Sequence, residues 1–157
     1  PEVQRLASRR WTNGVEAPIE FADGFPLLVI GEGALAELNR RLASGGHAPV
    51  GIERFRPNLV LAGLEPHDED RVQELRITTA EGEVRLKLVK PCGRCPIPDI
   101  NPDTGATGTA VLDTLQGYRA DSRLDGALTF GMNAIILEGA GHTLRVGDEV
   151  SADWHFN

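Results

Sequence analysis

The chain has 157 residues, 41% of them hydrophobic and 25% charged, with 18 glycines and 10 prolines. That describes one ordinary globular domain rather than a disordered or fibrous chain. A formal charge of -7 argues against general nucleic-acid binding, which needs surplus Lys and Arg to neutralise phosphates, and no apolar run approaches the length of a membrane span.

The first residue is Pro1 and the single methionine is Met132, as expected of an excised or processed piece of a longer chain. Residues 26–30 (PLLVI), bounded by Gly24 and Gly31, suit a buried strand. From 34 to 43 the leucines at 35, 38 and 42 recur at helical spacing, Glu37 stands four before Arg41, and Gly45-Gly46 stops the helix. Residues 58–63 (NLVLAG) read as a second buried strand, followed by an acidic loop through His67 to Asp70. Leu75, Ile77, Val84, Leu86 and Leu88 alternate with polar residues on either side of Ala80-Glu81-Gly82, the pattern of a hairpin with one face buried.

Residues 91–108 are dense in Pro, Gly, Asp, Asn and Thr and predict a long loop, which in a compact domain usually carries function. A short helix is expected around Val111, Leu112, Leu115 and Tyr118, a strand over 129–137, and a final strand pair over 144–150 broken at Gly147-Asp148. Short strands, Gly-rich turns and two modest helices favour a mainly β fold, a barrel or strongly curved sheet with peripheral helices, over a βαβ architecture.

The sharpest local feature is Lys90-Pro91-Cys92-Gly93-Arg94-Cys95-Pro96-Ile97-Pro98. A thioredoxin-like pair would need a helix running through the second cysteine, which Pro96 and Pro98 oppose. A structural zinc site needs four ligands, and His47, His67, His142 and His155 have no ligand spacing. A bridge between the two cysteines would close a tiny loop, which fits a reducing cytoplasm better than secretion. Cys92 suits an inert buried thiol. Cys95 differs, because Arg94 is adjacent and pairing of neighbouring strands would bring Arg54, Arg56, Lys87 and Lys90 close; nearby cations favour the thiolate that binds metals.

Arg54-Phe55-Arg56-Pro57-Asn58 brackets an aromatic with two arginines that can present guanidinium groups to a phosphate or another planar anion; a solvated strand entry is the plainer alternative. Asn101-Pro102-Asp103-Thr104-Gly105 is a turn sequence. Asp99 and Asp103 are candidate acids to which the sequence assigns no catalytic role.

With these residues in view, the chain resembles the MOSC domain family. The match is carried, in order, by Phe21-Ala22-Asp23-Gly24-Phe25-Pro26-Leu27-Leu28-Val29, by Arg54-Phe55-Arg56-Pro57-Asn58, by Pro91-Cys92-Gly93-Arg94-Cys95 with Asn101-Pro102-Asp103-Thr104-Gly105, and by Tyr118-Arg119 through Phe130-Gly131 to Val146-Gly147-Asp148. The pattern is most similar to the branch containing the mitochondrial amidoxime-reducing component, whose members reduce N-hydroxylated compounds. The resemblance implies a β-barrel, a molybdenum-molybdopterin cofactor (Moco) and Cys95 as both metal ligand and catalytic residue; pyridoxal phosphate is not expected. It further implies Arg56, Asn58, Gly93 and Arg94, with Gly24, Phe25 and Asn133, as cofactor-binding residues.

Asn101 stands where the family often has Asp, a change that a turn tolerates. The branch normally carries an N-terminal domain that helps enclose the cofactor, so the resemblance implies that residues 1–13 are a linker or the remnant of a missing N-terminal region and that the domain proper covers 14–157. Electrons would come from a separate flavin, haem or iron-sulfur partner, since the chain holds no motif for such a donor. Two rivals remain: a sulfur carrier or sulfurtransferase with a persulfide on Cys95, and a non-catalytic module that carries the cofactor.

Overall fold

A computed structural model of the chain describes residues 5–19 and 24–155. Phe21, Ala22 and Asp23, which open the first motif, lie outside the described residues. The chain divides into two compact units, the first made of residues 1–28, 70–90 and 132–157, the second of residues 29–69 and 91–131. The elements in order are β1 (Arg5–Leu6), α1 (Arg9–Thr12), β2 (Pro18–Ile19), β3 (Leu27–Gly31), α2 (Glu32–Ser44), β4 (Leu59–Leu61), β5 (Val72–Thr79), β6 (Gly82–Gly93), α3 (Ala110–Gln116), β7 (Ala120–Asp121), β8 (Ala127–Glu138) and β9 (Val150–Trp154). The fold is mainly β with few helices, as the sequence led us to expect.

In the first unit, β5 and β6 form the predicted hairpin. Leu75 faces Leu86 and Ile77 faces Val84 across the strands, and all four are buried. Such cross-strand apolar pairs are what hold a two-stranded register. The connection is two residues, Ala80-Glu81, between the paired Thr79 and Gly82, and the Thr79 hydroxyl closes it by donating to the Gly82 carbonyl at 2.6 Å.

β9 pairs antiparallel with the other side of β5. The expected strand pair over 144–150 is not there; only β9 forms, beginning at Val150. Leu144, Val146 and Val150 imitate a strand pattern, but Val146 is fully exposed. The Asp148 carboxylate instead accepts from the Arg145 N–H at 2.8 Å, and the Asp148 N–H donates to the Arg145 carbonyl, closing a local turn.

In the second unit, β3 and β4 pair in parallel, with Val29 beside Leu59 and Gly31 beside Leu61, and α2 is the crossover between them. One βαβ step therefore exists inside the mainly β chain, because a parallel pair cannot be joined by a tight turn. Ala34, Leu38 and Leu42 of α2 are buried, and the helix packs against α3, whose Val111 and Leu115 are buried in turn.

The start of α2 is built by close approach. The buried Glu69 carboxylate accepts from the Gly31 N–H at 3.2 Å. A Cβ added at Gly33 would lie 2.6 Å from the Leu64 carbonyl oxygen and 3.1 Å from backbone atoms of Glu65 and Pro66. Gly33→Ala is therefore expected to destabilise the protein by about 1–3 kcal/mol, overriding the better helix propensity of Ala. Denaturant unfolding would check this, and a more stable variant would contradict the packing described.

Farther along α2, Glu37 accepts hydrogen bonds from Arg40 (2.6 and 2.8 Å) and Arg41 (2.7 Å). The bonds from Arg40, then the bond from Arg41, hold its carboxyl down at about 2. Because the folded value lies below the ordinary 4.5, the stabilisation is complete above the unfolded value and is lost as pH falls toward 2. Melting curves of Glu37→Gln should show a small deficit at pH 6 that closes as the pH approaches 2. A deficit independent of pH would mean that the ion pairs are not its source.

Candidate functional site

The second unit gathers three segments that are distant in sequence, and the anchor is Phe55. Its ring is buried and stacks on Phe130 of β8, with centroids 4.1 Å apart and planes 20° from parallel. His67 stands edge-on to Phe130 at 5.6 Å. On either side of this buried aromatic, Arg54 is half-buried and Arg56 is exposed.

Arg56 follows directly and adopts φ 54°. A left-handed backbone is costly for a long side chain, on the order of 1–3 kcal/mol, and Pro57 after it narrows the choice further. The Arg56 side chain is exposed. Asn58 is also exposed, immediately before β4.

The cysteine segment meets this one through Arg94. Its Nη2 donates to the Phe55 carbonyl at 3.0 Å, its Nη1 donates to the Cys92 sulfur at 3.2 Å, and its guanidinium lies 5.4 Å from the Phe55 ring centroid. The backbone is tied as well, since the Arg94 N–H donates to the Leu128 carbonyl at 2.7 Å. At Gly93 an added Cβ would meet Ala127 at 3.7 Å, so that glycine is not required for space against the protein itself. Nε of Arg94 is buried and has no hydrogen-bond partner among the described residues.

Cys92 and Cys95 are both free; Cys92 is half-buried and Cys95 exposed. Cys92, expected to be an inert buried thiol, is only half-buried, and its sulfur accepts a hydrogen bond from a charged donor. The loop was expected to begin at Pro91, yet β6 continues to Gly93. Proline is tolerated in a strand where its missing N–H is not called on. Cys95 therefore sits just beyond a strand end, followed by a single 3-10 turn, Ile97–Asp99.

Asp99 is buried, and its carboxylate accepts from the Val111 and Leu112 N–H groups at 2.8 and 3.1 Å. This is a structural task, the capping of α3 from eleven residues before its first turn, and no sequence signal marks a cap at that distance. Asn101 accepts from the Asp103 N–H at 2.9 Å, and the Gly105 N–H donates to the Asn101 carbonyl at 2.8 Å. The Asn101-to-Gly105 motif thus makes the expected turn. A cleft of about 290 Å³ lies beside it, lined in part by His47, Val50, Arg54, Thr107 and Val111.

Tyr118 and Arg119 close the set. Burial pushes the Tyr118 phenol up to about 12, so it stays neutral, and the Arg41 guanidinium lies 3.8 Å from its ring centroid. Arg119 donates through Nε to the Thr129 carbonyl at 3.0 Å and through Nη2 to the Thr129 hydroxyl at 3.1 Å.

The remaining residues singled out from sequence fall in the first unit. Phe25 is half-buried against Ala7, Ala17 and Ile135, and the Lys90 ammonium lies 5.9 Å from its ring centroid and 5.4 Å from that of Trp11. An added Cβ at Gly24 would touch nothing within 4 Å. Asn133 is half-buried in β8. Lys87 lies opposite Glu74 on the hairpin.

Among the described residues no three His, Cys, Asp or Glu side chains gather to hold a metal ion, and no helix is long and apolar enough to cross a membrane. The residues present fit a metal carried by an organic group: an exposed soft thiol at Cys95, an exposed arginine at position 56, and a buried donor on Arg94 without a partner among the described residues.

Comparison with known proteins gives these features a frame. The chain is 36% identical over 137 residues to the mitochondrial amidoxime-reducing component 1 of Homo sapiens, covering 84% of this chain and 38% of that protein. It is 37% identical over 138 residues to the mitochondrial amidoxime reducing component 2 of Rattus norvegicus, with the same coverage of 84% and 38%. It is 35% identical over 150 residues to the molybdenum cofactor sulfurase of Oryza sativa subsp. japonica, covering 86% of this chain and 17% of that protein. The chain thus spans well under half the length of these curated relatives. The MOSC domain description matches residues 16–151, and the chain belongs to the MOSC domain family.

Proposed function

We propose that residues 14–157 form a MOSC domain that binds the molybdenum cofactor and serves in the reduction of N-hydroxylated substrates, with Cys95 as the protein ligand to the metal. The observation that carries this reading is the bond from Arg94 to the Phe55 carbonyl, 39 residues away in sequence. It brings the exposed thiol's own loop to the segment that carries Arg56 and Asn58. In support, two of the relatives are named for amidoxime reduction and a third for molybdenum cofactor sulfuration.

When bound, the cofactor supplies the metal redox chemistry, and the protein supplies orientation and charge. Cys95 would hold the metal through a deprotonated thiol, the form that binds it. Arg56 would meet the pterin's anionic groups, Asn58 would hydrogen-bond its polar edge, and Gly93 would allow close approach of its backbone. Gly24, Phe25 and Asn133 are assigned to further contacts. A separate flavin, haem or iron-sulfur protein would deliver the electrons, and the rest of the full-length protein would complete the enclosure. Two free thiols this close together suit a reducing compartment such as the cytoplasm.

Metal and pterin analysis of the full-length protein after incubation with cofactor tests the reading. Molybdenum and pterin are expected in equal amounts, together with turnover of an amidoxime when reduced viologen dye serves as donor. Absence of both metal and turnover overturns it. The sulfur-transfer alternative draws on the relative named a sulfurase and on the exposure of Cys95; it predicts cyanide-releasable sulfur on Cys95 and no amidoxime turnover.

A further inference from the structure

In the sequence Arg54 and Arg56 are alike as guanidinium groups that can meet an anion, but the Arg54 side chain is engaged elsewhere. It is half-buried, and its Nη1 donates to the Pro98 carbonyl at 3.0 Å. The 3-10 turn Ile52–Arg54 packs against the 3-10 turn Ile97–Asp99. Set beside Arg94, this bond runs in the opposite direction: Arg94 reaches back to the Phe55 carbonyl, and Arg54 reaches forward to Pro98.

Cys95 lies between the two attachments, one residue after Arg94 and three before Pro98. Pro96 and Pro98 have no N–H, so the loop can make few backbone bonds of its own. The Asp99 N–H donates to the Pro96 carbonyl at 3.0 Å and the Ile100 N–H to the Ile97 carbonyl at 2.9 Å. We infer that Arg54 is a positioning residue for Cys95: it fixes the far side of a loop whose near side Arg94 fixes, so that the thiol is presented in one pose. The inference gains its catalytic meaning from the proposed role of Cys95 as metal ligand, but its test does not need the metal.

Arg54→Met keeps the apolar stem and removes the donor, while Arg54→Lys keeps a donor. Both are compared with the parent in the full-length, cofactor-free protein by amide hydrogen exchange, and again in a background where Cys92 and every other cysteine except Cys95 are replaced by serine and Cys95 carries a nitroxide label. In Arg54→Met, exchange at Asp99 and Ile100 should rise about tenfold, the scale set by losing one charge-assisted hydrogen bond. The nitroxide spectrum should shift from restricted to mobile, and Arg54→Lys should restore much of both.

Unchanged exchange and unchanged label mobility in a folded Arg54→Met would overturn the inference. So would a rise in exchange with the label unmoved, because Arg54 would then hold the turn and not the thiol. Loss of metal binding in an unaltered protein would instead count against the ligand role of Cys95 and leave these two readouts standing.

Discussion

Amidoxime turnover by the cofactor-loaded, full-length protein is expected to fall on the order of a thousandfold in Cys95→Ser, about 4 kcal/mol of barrier, while the melting temperature stays close to that of the parent. The reasons are separable. Cys95 is exposed and makes no disulfide, so removing its sulfur opens no cavity and frees no buried partner, and surface changes of this kind usually cost little stability. Serine places oxygen where a soft sulfur stood, and a hydroxyl at neutral pH is a poor ligand for a metal that prefers thiolate. Cys92→Ser is the control. Its sulfur accepts from Arg94, a bond that a hydroxyl can also accept, so turnover should be retained in large part. Equal losses in the two variants would refute the distinction drawn between the thiols.

The second large effect is structural. Phe55→Ala is expected to destabilise the protein by about 3–5 kcal/mol, the usual cost of emptying a buried aromatic site, and to lower Tm by roughly 10 °C. The ring is fully buried and stacked on Phe130, and the lost contact includes the face beneath the Arg94 guanidinium. The Phe55 carbonyl that Arg94 uses belongs to the backbone and survives the substitution, so the functional segments should stay joined, only less firmly. Thermal unfolding of Phe55→Leu, which refills part of the volume, should fall between the two. A Phe55→Ala protein as stable as the parent would show that this stack is not the anchor of the site.

Much of the fold could be read from residue order alone, and the failures have physical causes. The helix from Glu32 to Ser44 and the hairpin around Ala80-Glu81 were legible because their apolar spacing matches one period over many residues. The extension of β6 through Pro91 was not, since proline normally argues against a strand. The 144–150 segment misled for the converse reason: its apolar residues alternate, but the local turn made by Asp148 competes with pairing.

At the site, the importance of the arginine-flanked aromatic and of the cysteine loop was visible as chemistry. Their meeting was not, because a bond between a guanidinium and a main-chain carbonyl 39 residues away leaves no pattern in composition or spacing. Arg54 and Arg56 looked equivalent in the sequence, and only the fold separates the one that reaches Pro98 from the one left exposed.

Position 56 also carries a conflict. Its backbone has the dihedral that glycine adopts freely, so a search for more heat-resistant variants would be drawn to replace the arginine with glycine. The same change would strip away the cationic group assigned to the pterin. Tolerance to heat and grip on the cofactor would then move in opposite directions at a single residue, and selection for robustness alone would erode the binding surface there first.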